Sequence, residues 1–159
     1  MADGEKQIQL VTFQLGDEHY GIDIMEVKEI VRIQEVRPIP NAPAYVEGIF
    51  NLRGEIIPII NLHKRFHLSR AVLSDEDRLL SGFVIIDLNG KQVGVVIDKV
   101  SRVVTINAKQ IQPPPQMMTG IGSEYIQGVS NDKSGYLIIL NIQRLFNPKE
   151  LQQLGRIAS

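Results

Sequence analysis

Apolar and polar residues alternate over Leu10–Leu15, placing Val11, Phe13 and Leu15 on one face of a strand that Gly16-Asp17 ends. The same two-residue period returns through Tyr20–Ile24, Lys28–Val36, Val46–Asn51 and Glu55–Asn61. It returns again through Phe83–Leu88, Lys91–Ile97, Ser101–Ile106, Ile126–Asn131 and Tyr136–Asn141. Arg53-Gly54 and Asn89-Gly90 fit tight hairpin turns, the second strongly, because a type I′ turn needs positive φ at both central positions. Helix is predicted sparingly. Val27, Ile30 and Val31 have helical spacing, as do Val100, Val103 and Val104, but both segments are β-branched, which limits each to one turn. Near the C-terminus Asn147 caps, Pro148 takes the first helical position, and Lys149–Ala158 reads as a helix with Leu151, Leu154 and Ile157 on one side.

The two sets of strands are one sequence written twice. Tyr45–Phe66 aligns with Tyr125–Phe146 through the identical pairs Tyr45/Tyr125, Gly48/Gly128, Asn51/Asn131, Ile59/Ile139, Asn61/Asn141 and Phe66/Phe146. Upstream, Tyr20–Ile33 matches Val93–Ile106 at a shift of 73, against 80 for the later block. The extra residues fall between Ile106 and Tyr125, where Pro113–Pro115 and Met117–Gly122 make a longer connection than Pro38–Pro43 does. Five short, twisted strands with glycine bends suit a small closed barrel, which leaves no long unpaired edge. The expected fold is all-β, two five-stranded barrels side by side. Repeat one covers about 8–66 and repeat two about 83–146, with exchange of strands between barrels left open.

Composition narrows the function classes. A chain of 159 residues fits one domain, whereas a single repeat buries too small a share of its surface to be comfortably stable, so the halves should share a core. Seventeen basic against eighteen acidic residues give no broad attraction for nucleic acid or anionic membrane. The start, Met1–Lys6, lacks the parts of a secretory signal, and no apolar stretch approaches the ~20 residues that span a bilayer, which implies a cytoplasmic protein without direct membrane insertion. The absence of cysteine removes disulfides, thiolate zinc sites and cysteine nucleophiles.

Candidate chemistry is thin. His63 and His67 are four apart, the spacing of two metal ligands on a helix, but no third ligand accompanies them, and a solvent-facing helix accounts for them better. No phosphate loop exists, and Gly120-Ile-Gly122 lacks the strand-to-helix context that gives such a pair meaning. Nothing resembles a nucleophile elbow. The Pro-rich Gln112–Gln116 stretch could bind an aromatic-lined groove in polyproline II form, but a rigid connector explains it more simply, and Asp75-Glu-Asp77 reads as a solvated loop between repeats. His19 reads as a surface residue. Neither an enzyme nor a cofactor or metal protein is indicated.

Three stretches carry a resemblance: Phe13–Ile30, Pro38–Gly54 with its Gly-Ile-Phe-Asn-Leu-Arg-Gly core, and Ile57-Pro-Ile-Ile-Asn-Leu62. Together they resemble bacterial chemotaxis coupling proteins, the CheW family, over residues 8 to about 147, with a C-terminal helix at 148–158. The second half fits through Val93–Val100 and Tyr125–Gly128. The resemblance implies two SH3-like barrels related by a pseudo-two-fold and a non-catalytic scaffold in the chemoreceptor array. Its implied partners are the cytoplasmic tips of methyl-accepting chemotaxis receptors and the regulatory domain of the histidine kinase CheA, with other CheW-like domains in array rings as further candidates. A coupler of a non-motility pathway is the alternative within that class. The receptor groove is expected at Val11, Ile24, Val27, Ile30 and Val100. Val27 and Val100 are equivalent in the duplication, so a pseudo-two-fold would set their segments on opposite walls of one cleft. The kinase-binding and supporting motif is expected at Glu29, Gly48, Asn51, Arg53 and Gly54, with Arg53 paired to Glu29. Asn61 departs from the Asp of many relatives. A competing reading from another class makes the Arg53 loop an anion site in a ligand-binding barrel or small enzyme.

Overall fold

In the computed structural model all ten expected strands form: β1 (Gln7–Leu15), β2 (Glu18–Asp23), β3 (Val27–Arg32), β4 (Val46–Leu52), β5 (Glu55–Ile60), β6 (Gly82–Leu88), β7 (Lys91–Ile97), β8 (Lys99–Asn107), β9 (Ile126–Asp132) and β10 (Gly135–Leu140). Residues 6–69, 71–88, 90–113, 125–132, 135–146, 149, 150, 152 and 156 are described. The longer connection at Met117–Gly122 lies outside them. Among the described residues, no helix is long and apolar enough to cross a membrane. Where helical turns were expected at Val27–Val31 and Val100–Val104, β3 and β8 are extended throughout; one 3-10 turn, Ile24–Glu26, comes just before β3. Cross-strand pairing of these β-branched residues, β3 with β6 and β8 with β1, outweighs the helical spacing. Of the C-terminal helix, Lys149, Glu150, Gln152 and Arg156 are helical, and its apolar side at Leu151, Leu154 and Ile157 lies outside the described residues.

Each sheet draws strands from both repeats. One runs β8-β1-β2-β10-β9 and the other β3-β6-β7-β5-β4, so the first two strands of each repeat complete the sheet of the other. The registers repeat as closely as the sequence does. Leu10 faces Val104 in one sheet as Phe83 faces Val31 in the other, and Gly21 meets Ile139 across a parallel junction as Gly94 meets Ile59. Isolated bridges, Arg37 to Ile49 and Gln112 to Val129, pair the segment after β3 with β4 and the segment after β8 with β9, and each sheet curls into a five-stranded barrel.

The main core lies between the barrels and joins Phe13, Tyr20 and Ile22 of the first repeat to Val84, Val95, Ile138 and Ile142 of the second. At its edge the duplicated rings stack reciprocally, Tyr45 on Phe146 at 5.8 Å and Phe66 on Tyr125 at 5.9 Å. Symmetry breaks at Arg65, whose counterpart Leu145 is buried. Arg65 lies over Tyr45, Tyr125 and Phe146, and its guanidinium donates two bonds to Glu150, at 2.7 and 2.9 Å. Burial opposes the Arg65 charge, but Glu150 and the two tyrosines hold its pKa above the ordinary value. The barrel interiors also differ. Phe50, Ile57, Ile59, Phe83, Ile85 and Val96 fill one, whereas Leu10, Leu137 and Ile139 form the buried centre of the other. Thr12 and Ser130 occupy the places of Ile85 and Phe50, and a cavity of about 520 Å³ opens beside them.

Candidate functional sites on one edge strand

β3 is an edge strand that carries two groups of expected site residues. A β-bulge sits between Val27 and Glu29 where β3 meets β6, and its counterpart sits between Val11 and Phe13 where β1 meets β8. Bulges re-aim the side chains beside them. Here they act at equivalent places on the two barrels, and Val27 and Val100 both end half-buried against the shared core. At the second bulge the Thr12 hydroxyl donates to Arg102 O at 2.6 Å and accepts from Arg102 N at 3.2 Å, so the irregular backbone stays satisfied.

Around this seam Ile24 is half-buried in the 3-10 turn, and Ile30 is 40% exposed. Met25, which the sequence reading passed over, is 86% exposed beside them. Asp23 caps that turn by accepting from Met25 N at 2.9 Å. Burial raises the pKa of Glu26 on the same turn, with Asp23 adding to the shift and a Gln143 hydrogen bond opposing it. Val11, placed with the groove residues on sequence grounds, is only 5% exposed. The reason is topological: β1 runs between β8 and β2, pairing Val11 with Val103 on one side and Ile22 on the other.

The second group surrounds the β4–β5 hairpin. Arg53 and Gly54 both take positive φ, 52° and 88°, and Asn51 Oδ1 accepts from Gly54 N at 2.8 Å, which fixes the turn. The Arg53 guanidinium pairs with Glu29 of β3. β3 and β4 are the two outer strands of that sheet, so the pair spans the closing edge of the barrel. Arg53 is thus matched by a carboxylate, which weighs against its serving as an anion site. Gly48 has φ 149°, and a Cβ there would stand 2.1 Å from Arg37 O; only glycine lets the two backbones meet at the closing bridge. Beside this bridge a cleft of about 620 Å³ is lined by Val36, Arg37, Ile49, Asn51 and Ile56.

Asn61 and His63 complete the picture. Asn61 caps α1 (Leu62–Phe66) by accepting from Lys64 N at 3.1 Å, and its amide donates to Glu47 at 2.6 Å, so an amide serves where a carboxylate would repel Glu47. His63 does not face solvent as the sequence reading expected. It is 2% exposed, and its Nε2 lies 2.7 Å from the Asp98 carboxylate. Since an ionised carboxylate only accepts, Nε2 carries the proton. The same Asp98 oxygen accepts from Gly16 N at 2.7 Å and Ala71 N at 3.1 Å. His67 ends α1 in the left-handed conformation, φ 58°. Among the described residues, no cluster of three or more metal-ligating side chains forms.

Comparison with known proteins gives this geometry a context. The family model for the CheW-like domain matches residues 9–150. The chain is 59% identical over 157 residues to the chemotaxis protein CheW of Treponema pallidum, covering 99% of this chain and 92% of that protein. It is 34% identical to the chemotaxis protein CheW of Klebsiella aerogenes, covering 94% and 88%. Among solved structures it resembles the scaffolding protein TtCheW from Thermoanaerobacter tengcongensis, with a TM-score of 0.80, 33% identity and 92% of each chain covered.

Proposed function

This chain belongs to the CheW-like domain family, and we propose that within it the chain is a non-catalytic chemotaxis adaptor that couples chemoreceptor tips to the histidine kinase CheA. The observation that carries this reading is the double use of β3. Val27 and Ile30 present apolar surface at the seam between the barrels, while Glu29, on the same strand, is held by the hairpin residue Arg53. A receptor helix laid in the seam buries apolar residues at i, i+3 and i+4 against Val27, Ile30 and Val100. The kinase regulatory domain docks on the β4–β5 hairpin and the cleft beside it. Both partners then rest on one strand, so each is positioned relative to the other through a few residues of rigid backbone. Nothing in this mechanism requires a bond to be made or broken; the protein contributes placement, which suits a site built of turns, glycine contacts and one ion pair.

The test is reconstitution. Receptor-containing membranes, CheA and this protein are combined, and phosphate transfer from ATP to the kinase is timed. Kinase activity should rise only when all three are present. Equal activity with and without this protein would overturn the proposal.

A further inference from the structure

The connection between the repeats is more ordered, and more apolar at its surface, than a connection requires. Ser74 caps α2 (Asp75–Arg78) by accepting from Asp77 N at 3.1 Å. Beyond it the N–H groups of Leu79, Leu80 and Ser81 return to the carbonyls of Glu76, Asp77 and Arg78. Four contacts pin this segment to the bend between β7 and β8. Ala71 N donates to the Asp98 carboxylate at 3.1 Å, Ser81 Oγ to Asp98 O at 2.5 Å and Val100 N to Leu80 O at 2.8 Å, while Lys99 pairs with Asp77 at 3.2 Å. Yet Leu79 is 68% exposed and Leu80 41%. Ordering a segment costs entropy, and holding two leucines in water on it gains nothing for folding.

Their position supplies the missing gain. Leu80 is bonded through its carbonyl to Val100, one wall of the seam. Two residues on, Gly82 pairs with Arg32 of β3, and a Cβ at Gly82 would stand 3.8 Å from Ile30 Cγ2. Gly82 adds no side chain there, so the apolar surface of Ile30 stays open beside the start of β6. We infer, resting on the adaptor reading above, that Leu79 and Leu80 are the outer wall of the receptor groove. A helix seated against Val27, Ile30 and Val100 meets them with its next turn, about 5.4 Å along its axis. Asp75 and Glu76 are exposed on the same turn of chain and outnumber the exposed Arg78 beside them, while Asp77 is paired with Lys99. The helix that fits therefore carries a Lys or Arg next to its apolar residues. The ledge continues the groove and selects for a basic helix.

The experiment measures binding of the cytoplasmic hairpin of a chemoreceptor from the same organism by calorimetry, for Leu79→Ser, Leu80→Ser and Val27→Glu, each with its melting curve. Both serine variants should melt like the parent and bind about tenfold more weakly, the effect of one side chain in a well-packed contact. Leu79 is the more exposed, so if Leu80→Ser melts lower, Leu79→Ser alone decides. If Val27→Glu abolishes binding while Leu79→Ser binds like the parent, the ledge inference is overturned and the groove stands. If Val27→Glu, melting normally, also binds like the parent, the groove reading fails and takes the ledge with it.

Discussion

Replacing Asp98 by Ala removes the acceptor that ties α1, the β1–β2 turn and the inter-repeat connection to the β7–β8 bend. Asp98 is 0% exposed, and its carboxylate accepts hydrogen bonds from His63 Nε2, Gly16 N and Ala71 N. Alanine leaves all three donors without it, and His63 Nδ1 is already buried with no hydrogen-bond partner. An unpaired buried donor costs ~1–3 kcal/mol, but Ala71 lies close enough to the surface for water to recover part of its bond. Summed over two buried donors and part of a third, the net loss is then roughly 3–5 kcal/mol. Against a total stability of ~5–15 kcal/mol this is a large fraction. At ~2–4 °C per kcal/mol for a domain of this size, the melting temperature should fall on the order of 10 °C. Asp98→Asn keeps the shape and one accepting oxygen, so it should fall by less. Calorimetric melting and urea titration at fixed pH measure both. An Asp98→Ala protein that melts within about 2 °C of the parent would refute the view that this network holds the bend and its ledge.

Two further outcomes follow from the ion pair and the ring cluster. Arg53→Glu should impair kinase activation in the reconstituted system while changing stability little, because Arg53 is largely exposed and a surface pair contributes only ~0–1 kcal/mol; unchanged activation would remove Arg53 from the kinase surface. The Tyr45 phenol, pushed up to about 12 by burial and by Glu150, ionises near 10 when the chain unfolds. Its contribution is therefore whole below pH 10 and lost as pH rises from 10 toward 12. Urea titrations across that window should show a shallower decline for Tyr45→Phe, and an identical decline would contradict the assignment.

Strand positions were legible because a period of two is written into each segment, and Arg53, Gly54 and Gly90, placed between such segments, take the positive φ that ends a hairpin strand. Which strands pair across the repeats was not. Leu10 meets Val104 where Phe83 meets Val31, so the duplicated sequence offers chemically similar partners within a repeat and between repeats. The 3-10 turn Ile24–Glu26, three residues between β2 and β3, carries the chain from one sheet to the other, and short-range pattern does not encode that choice. The same limit explains His63. Its partner Asp98 is 35 residues away in the other repeat, so the sequence around it reads only as a polar helix. Arg53 and Glu29 were found through a motif, whereas the burial of Val11 depends on β1 having a neighbour on both sides, which no local pattern records.

A receptor helix seated in the seam between the barrels, as proposed above, would rest on Val27, and Val27→Glu in the reconstituted three-component system puts that to measurement. Val27 is half-buried at the seam, so the variant should melt close to the parent. It should fail to bind the receptor hairpin and leave kinase activity at the level seen without adaptor. A variant that folds normally and still activates the kinase through the receptor would contradict the account.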